Sequence, residues 1–244
     1  MDALTRITPH IWQLPFPVGH VYLVALTDGG FAAIDTGIPG SAPAILDALD
    51  RLGGGPAALR QIVLTHHHLD HMGSAADLVA ATGARVLAGA LDAPVISGAR
   101  PEPPLDLIPG EQVVHEGVMA QLAAGAMPPL RHVGVDTPLH EGDTLDDWPE
   151  PVRVLHVPGH TEGAIALHLP QSRLLFPGDT IATDPTGSRV LFGPFNVDRA
   201  RALASFRRLT ALDDVDTVCV PHGVPVRTGA RALLAAATPE ADWR

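Results

Sequence analysis

Short apolar runs recur along this chain, each closed by a Gly, Pro or Asp break. Ile11–Leu14, Val21–Leu26 and Phe31–Ile34 read as strands, the last two joined by the turn Thr27-Asp28-Gly29-Gly30. The pattern then widens to a helical period. A helix is predicted from Ser41, an N-cap type, to Leu52, where Gly53-Gly54-Gly55 stops it. Strand Gln61–Leu64, a helix over Ser74–Ala81 ending at Gly83, and strand Arg85–Leu87 follow. Further on come strands Val152–Val157, Ala164–Leu169 and Arg173–Phe176, a helix over Asp198–Thr210, strand Thr217–Val220 and a last helix over Thr228–Ala237. Two similar halves, each of strands then helices, imply a layered α/β protein.

The stretch from Ala93 to Asp143 breaks this rhythm. Pro101-Glu102-Pro103-Pro104 and Met127-Pro128-Pro129 flank a predicted helix near Val113–Ala124. A long interruption of this kind is a functional lid, or else a surface insertion or an oligomer contact. His115, Met119, Leu130 and His132 are its candidates for lining a pocket.

The chemistry concentrates at breaks that end strands. After Gln61–Leu64 the chain reads Thr65-His66-His67-His68-Leu69-Asp70-His71. In extended chain, side chains at i and i+2 point the same way, so His66 and His68 can converge on one ion while His67 points elsewhere. A turn at Leu69 would let Asp70 and His71 face a second point nearby. Neutral imidazole and carboxylate suit Zn²⁺, with Fe or Mn as alternatives. The plain alternative is a polar loop with a chance run of histidines. Three further strand patterns argue against it, because each ends on a breaker and one ligand-type side chain: Pro158-Gly159-His160-Thr161, Pro177-Gly178-Asp179-Thr180 and Pro221-His222-Gly223. Donors at strand ends sit on a stiff scaffold.

With these motifs in this order, the chain resembles the metallo-β-lactamase superfamily of metal-dependent hydrolases. The resemblance runs from His20-Val21-Tyr22-Leu23-Val24 and Ile34-Asp35-Thr36-Gly37 to Pro221-His222-Gly223. It implies a four-layer αβ/βα sandwich as a single domain over residues 1–244, with a lid or insertion at about 93–143. It also implies a ligand set: His66, His68 and His160 for a first metal, Asp70, His71 and His222 for a second, and Asp179 bridging the two. The expected cofactor is two Zn²⁺ per chain. A paired site generates hydroxide near neutral pH, and the expected reaction is its attack on the carbonyl of a small ester, thioester or lactone. Asp70 is the candidate to orient that nucleophile or carry a proton to the departing atom.

Around the ligands, Asp35 is the candidate to fix a histidine tautomer, or simply closes a turn before Gly37. Thr161 and Thr180 are expected to hydrogen-bond nearby backbone. His20 precedes a strand near the site and is a candidate substrate contact. His10, His140, His156 and His168 read as structural or surface residues.

Composition narrows the partners. The net charge of −11 opposes nucleic acid and anionic lipid. No long apolar run spans a membrane, the N-terminus lacks a signal-peptide pattern, and cytoplasmic residence is the default expectation. Cys219 is the single cysteine, excludes an internal disulfide and reads as core. The expected partner is a small-molecule substrate; the oligomeric state is open.

Departures from subfamily patterns bear on substrate. The β-lactamases proper usually carry Cys or Ser where this chain has Asp179. Many acyl-homoserine lactonases carry Tyr where this chain has Ala182. Glyoxalase II enzymes share the ligand set but add a basic C-terminal helical region, and this chain ends soon after His222, which counts against strict glyoxalase II activity. Two alternatives stay open: a β-lactam-hydrolysing enzyme, and a mononuclear iron oxidoreductase resembling persulfide dioxygenases, using His66, His160 and Asp179.

Overall fold

Strands buried on both faces form the middle of the protein. A computed structural model describes residues 4–125, 127–145 and 147–242. Its elements are β1 (Thr5–Thr8), β2 (Ile11–Leu14), β3 (Val21–Ala25), β4 (Phe31–Ile34), α1 (Ala42–Arg51), β5 (Leu59–Leu64), α2 (Leu69–Met72), α3 (Ala75–Thr82), β6 (Arg85–Gly89), α4 (Ala93–Ile96) and α5 (Pro109–Ala124). The second half has β7 (Thr137–Leu139), β8 (Thr144–Leu145), β9 (Val152–His156), β10 (Ile165–Leu169), β11 (Leu174–Phe176), β12 (Ile181–Thr183), β13 (Val190–Phe192), α6 (Arg199–Thr210), β14 (Thr217–Val218) and α7 (Ala230–Ala235).

A seven-stranded sheet keeps chain order from β1 to β7, and a five-stranded sheet runs β14-β11-β10-β9-β8. Pairing is antiparallel from β1 to β4 and parallel from β4 to β7. Successive side chains of a strand serve different cores. In β3, Tyr22 and Val24 join the core between the sheets, whereas Val21 and Leu23 face the core that holds Ile45 and Leu49 of α1 and Leu78 of α3. In β10, Ile165 and Leu167 enter the same central core, whereas Ala166 faces Phe206 and Leu209 of α6 and Leu234 of α7. The layers are therefore helix, sheet, sheet, helix, the four-layer αβ/βα sandwich. The central core is apolar and closed, with Trp148, Tyr22 and Phe176 among its largest side chains.

Two sequence expectations change. The excursion is narrower than 93–143, because Thr137–Leu139 joins the large sheet parallel to β6 and α4 packs Ile96 into the core under that sheet. The strand expected over Thr217–Val220 stops at Val218, which pairs back on Val226, although Cys219 still donates its backbone N–H to Leu175. Cys219 is buried in the central core. The layering brings the ends of β4, β5, β9, β11 and β14 to one edge. Cross-links there include Ile165 N–H to Thr65 O at 2.9 Å and His20 N–H to Pro221 O at 2.9 Å.

Candidate metal centre

The first histidine loop leaves β5 extended and turns at once into a helix. His68 has φ −68° and ψ 154° and precedes the single turn α2. The change from extended to helical backbone after His68 separates the directions of His66 and His68 from those of Asp70 and His71. The remaining donors arrive from other breaks: His160 after β9, Asp179 after β11 and His222 after β14. Gly159, between β9 and His160, has φ +130°, and a Cβ there would collide with the backbone nitrogen of Ala202 in α6. Only glycine allows this loop to lie against the helix.

These loops produce three overlapping donor groups: His66, His68 and His160; His66, His71 and Asp179; and Asp70, His71 and His222, each with its ligand-type atoms within 4.8 Å of one another. All seven residues singled out by sequence thus converge on one place. Nε2 of His71 lies 3.4 Å from Asp70 and 3.3 Å from Asp179. Nε2 of His222 lies 3.2 Å from each of the same two carboxylates. Nε2 of His160 stands 3.5 Å from Asp179 and 3.2 Å from Nε2 of His66.

Tautomers are set from behind. His71 Nδ1–H donates to Asp35 Oδ2 at 2.9 Å, which turns Nε2 toward the other donors. Thr65 Oγ1 donates to Asp35 Oδ2 at 2.9 Å and lies 3.0 Å from Nδ1 of His66, so Asp35 also holds His66 through one hydroxyl. Asp35 is a non-glycine residue at φ +60°, a strained backbone retained where its carboxylate organises two histidines.

The donor set fits cations. His71 Nε2 and Asp179 Oδ1 are buried without a hydrogen-bond partner, and such atoms are costly unless something else satisfies them. Burial, then neighbouring imidazoles, hold His66 well below its usual value, as they do His68. Burial also lowers His160. Neutral imidazole is the form that ligates. Burial would raise the Asp70 and Asp179 carboxyls, yet His71 and His222 hold both well below the ordinary range. Burial opposes charge on His222, but Asp179 and Asp70 raise it to about 10; the same two carboxylates and Asp35 raise His71. A field that favours positive charge between two carboxylates is the field a divalent cation needs.

Other histidines separate from the centre. His20 accepts from Phe16 N–H at Nδ1 (3.2 Å) and reaches Gly223 O with Nε2 (3.0 Å), so both ring nitrogens serve backbone rather than substrate. His67 is buried outside the donor groups, with Nδ1 3.2 Å from Asp92. Thr161 departs from expectation: its hydroxyl donates at 2.6 Å to the Asp92 carboxylate, not to backbone. In the excursion, His115 stacks edge-on against Phe195, His132 sits 3.2 Å from Ile96 O, Leu130 packs on the outer core of the large sheet, and Met119 is exposed.

Comparison with known proteins agrees with this geometry. Residues 14–222 match the family described as the metallo-beta-lactamase superfamily. The chain is 36% identical over 186 residues to a hydroxyacylglutathione hydrolase of Cereibacter sphaeroides, covering 76% of this chain and 55% of that protein. It thus spans about half the length of the hydroxyacylglutathione hydrolases it matches. It is 26% identical over 234 residues to the probable metallo-hydrolase YflN of Bacillus subtilis, covering 87% of this chain and 83% of that one. Among solved structures, the subclass B3 metallo-beta-lactamase MEM-A1 from a soil metagenome library superposes with a TM-score of 0.69 at 20% identity, covering 97% of this chain and 92% of the other. That likeness speaks for the fold alone. No helix among the described residues is long and apolar enough to cross a membrane.

Proposed function

The chain belongs to the metallo-beta-lactamase superfamily, and from that premise we propose that it is a dinuclear metal-dependent hydrolase of a small ester, thioester or lactone. The observation that carries this reading is the convergence of three donor groups that share His66 and His71. The relatives named hydroxyacylglutathione hydrolase weigh toward a thioester within that range.

In this reading His66, His68 and His160 would hold one ion, Asp70, His71 and His222 would hold the other, and Asp179 would serve both. Zn²⁺ suits the imidazole and carboxylate set, with Fe or Mn as alternatives. Bound ions supply Lewis acidity toward a carbonyl oxygen and lower the pKa of water. The chain's own residues do the rest. Asp35 and Thr65 keep His71 and His66 in the ligating tautomer. Asp70 and His222, with side chains 20% and 33% exposed, mark the open side by which substrate arrives. Asp70 is the carboxylate we assign to orient the attacking water and to carry a proton to the departing atom. We assign the excursion between α4 and β7 as the wall over that opening. Helix α5 is tied to α6 by the buried Glu111 carboxylate and Arg199, and this tie holds the wall against the loop before α6.

A single-iron oxidoreductase would use His66, His160 and Asp179 alone, and the convergence of Asp70, His71 and His222 weighs against it. The test is metal analysis of purified protein beside a panel of thioesters, lactones and β-lactams. Two metal equivalents with thioester or lactone turnover support the proposal. One iron with oxygen consumption, or a fully loaded protein inert toward every carbonyl substrate, refutes it.

A further inference from the structure

Asp92 lies outside every motif that marks the centre, at the start of α4. Its side chain is fully buried. Oδ2 accepts from the backbone N–H of His67 at 3.2 Å and from Thr161 Oγ1–H at 2.6 Å, and Oδ1 accepts from Gly163 N–H at 2.7 Å. Nδ1 of His67 stands 3.2 Å from Oδ2. One carboxylate therefore grips the residue between His66 and His68 and, at the same time, the two loop positions just beyond His160. Those flanks border all three residues of the three-histidine group, of which only His66 is shared with another group. The contact is close: a Cβ on Gly163 would collide with the Asp92 backbone nitrogen. The same segment is stitched again at the surface, where Arg100 reaches Leu91 O at 3.2 Å and Glu162 at 2.7 Å.

A buried carboxylate is retained at a cost unless its acceptors are filled. Here they are filled by two separate ligand loops, which makes Asp92 a clamp between them. Asp35 has the corresponding place behind His71 and, through Thr65, His66. We propose that Asp92 is the positioning residue of the His66–His68–His160 group, setting the spacing between the two loops and hence the affinity of that group for metal. This rests on the functional reading above, since it presumes that the group holds an ion.

The test uses the full chain. Apoprotein is titrated with Zn²⁺ against a chromophoric chelator, and the Co²⁺ form is recorded for its ligand-field spectrum. Wild type, Asp92→Asn and Thr161→Val are compared, each also in a His222→Ala background that disables the other group. Asp92→Asn is expected to weaken binding in that background by roughly 10- to 100-fold and to alter the Co²⁺ bands, with melting still cooperative. Thr161→Val, which removes a single hydrogen bond, is expected to shift both in the same direction by less. Unchanged affinity and spectra in both variants would overturn the positioning role, as would equal weakening of both groups. If wild type itself takes up no metal, the functional reading fails and this inference with it. If wild type loads fully and the variants match it, only this inference fails.

Discussion

Asp35 and His71 lie 36 positions apart and meet at 2.9 Å, carboxylate to Nδ1, beneath the donor groups. The pair joins the end of β4 to the end of the histidine loop, and its geometry depends on a carboxylate. Asparagine tolerates the positive φ of position 35, so Asp35→Asn changes the acceptor and leaves the backbone in place. The variant is expected to lose roughly 10- to 100-fold in metal affinity or kcat/KM. Zinc content after dialysis and initial rates check this; wild-type values in both would remove Asp35 from the mechanism.

Asp179 touches both halves of the donor set, through His71, His160 and His222. Asp179→Ala is therefore expected to lower metal occupancy and nearly abolish hydrolysis. A variant with a full metal complement and normal turnover contradicts the bridging role. Removing metal from wild type with a chelator is expected to stop hydrolysis, and added Zn²⁺ to restore it.

Gly159 combines φ +130° with direct contact between its backbone and α6. Gly159→Ala strains the backbone and pushes the His160 loop off the helix, with an expected destabilisation of about 3 kcal/mol. Urea unfolding measures it, and a midpoint equal to wild type would show that the loop can relax at little cost.

His168 in β10 offers a pH test away from the centre. Burial lowers its pKa from the ordinary value, against the pull of Asp214 3.3 Å away, with Arg153 and Glu150 also facing it. The unfolded chain therefore binds this proton more readily than the folded one. Stability falls as pH drops through the unfolded value of about 6.5, and the fall ends below the folded value; above 6.5 the residue is neutral in both states and contributes no slope. His168→Gln is expected to flatten that part of the Tm profile between about pH 7 and 5. Superimposable wild-type and variant profiles would contradict the shift.

The excursion is tied down at Glu111, which caps the start of α5 through Ile108 N–H and pairs with Arg199. Exchanging residues between Pro101 and Pro129, or breaking the pair with Glu111→Gln, is expected to change KM and the ranking of substrates more than metal content. Uniform loss across the substrate panel accompanied by metal loss would refute a lid there.

Most long elements could be read from local pattern. The limits of β2 and β4 match the expectation, and α1, α3 and α6 begin one residue after their expected first residue. Elements that escaped had little pattern to show. β7 is three residues with a central Pro, and β8 is two residues long. The β12–β13 ribbon spans three residues a side. Helix α5 was expected near Val113, yet it starts at Pro109, where the Pro sits in the first turn.

The seven donor-type residues were legible because metal binding would impose residue type on each position, and His, Asp and their Gly-Pro breaks stand out from apolar strands without any knowledge of contacts. Asp35 stood next to such a break and could be suspected. Asp92 could not: an aspartate before a short helix is common, and its three hydrogen-bond donors come from positions 25, 69 and 71 residues away. Composition and periodicity by themselves thus determined the layered α/β class and the kinds of atoms available for a metal. Only the tertiary structure decided which carboxylate stands behind which histidine, because burial turns an ordinary acidic side chain into a fixed acceptor for whichever loops the packed sheets bring to it.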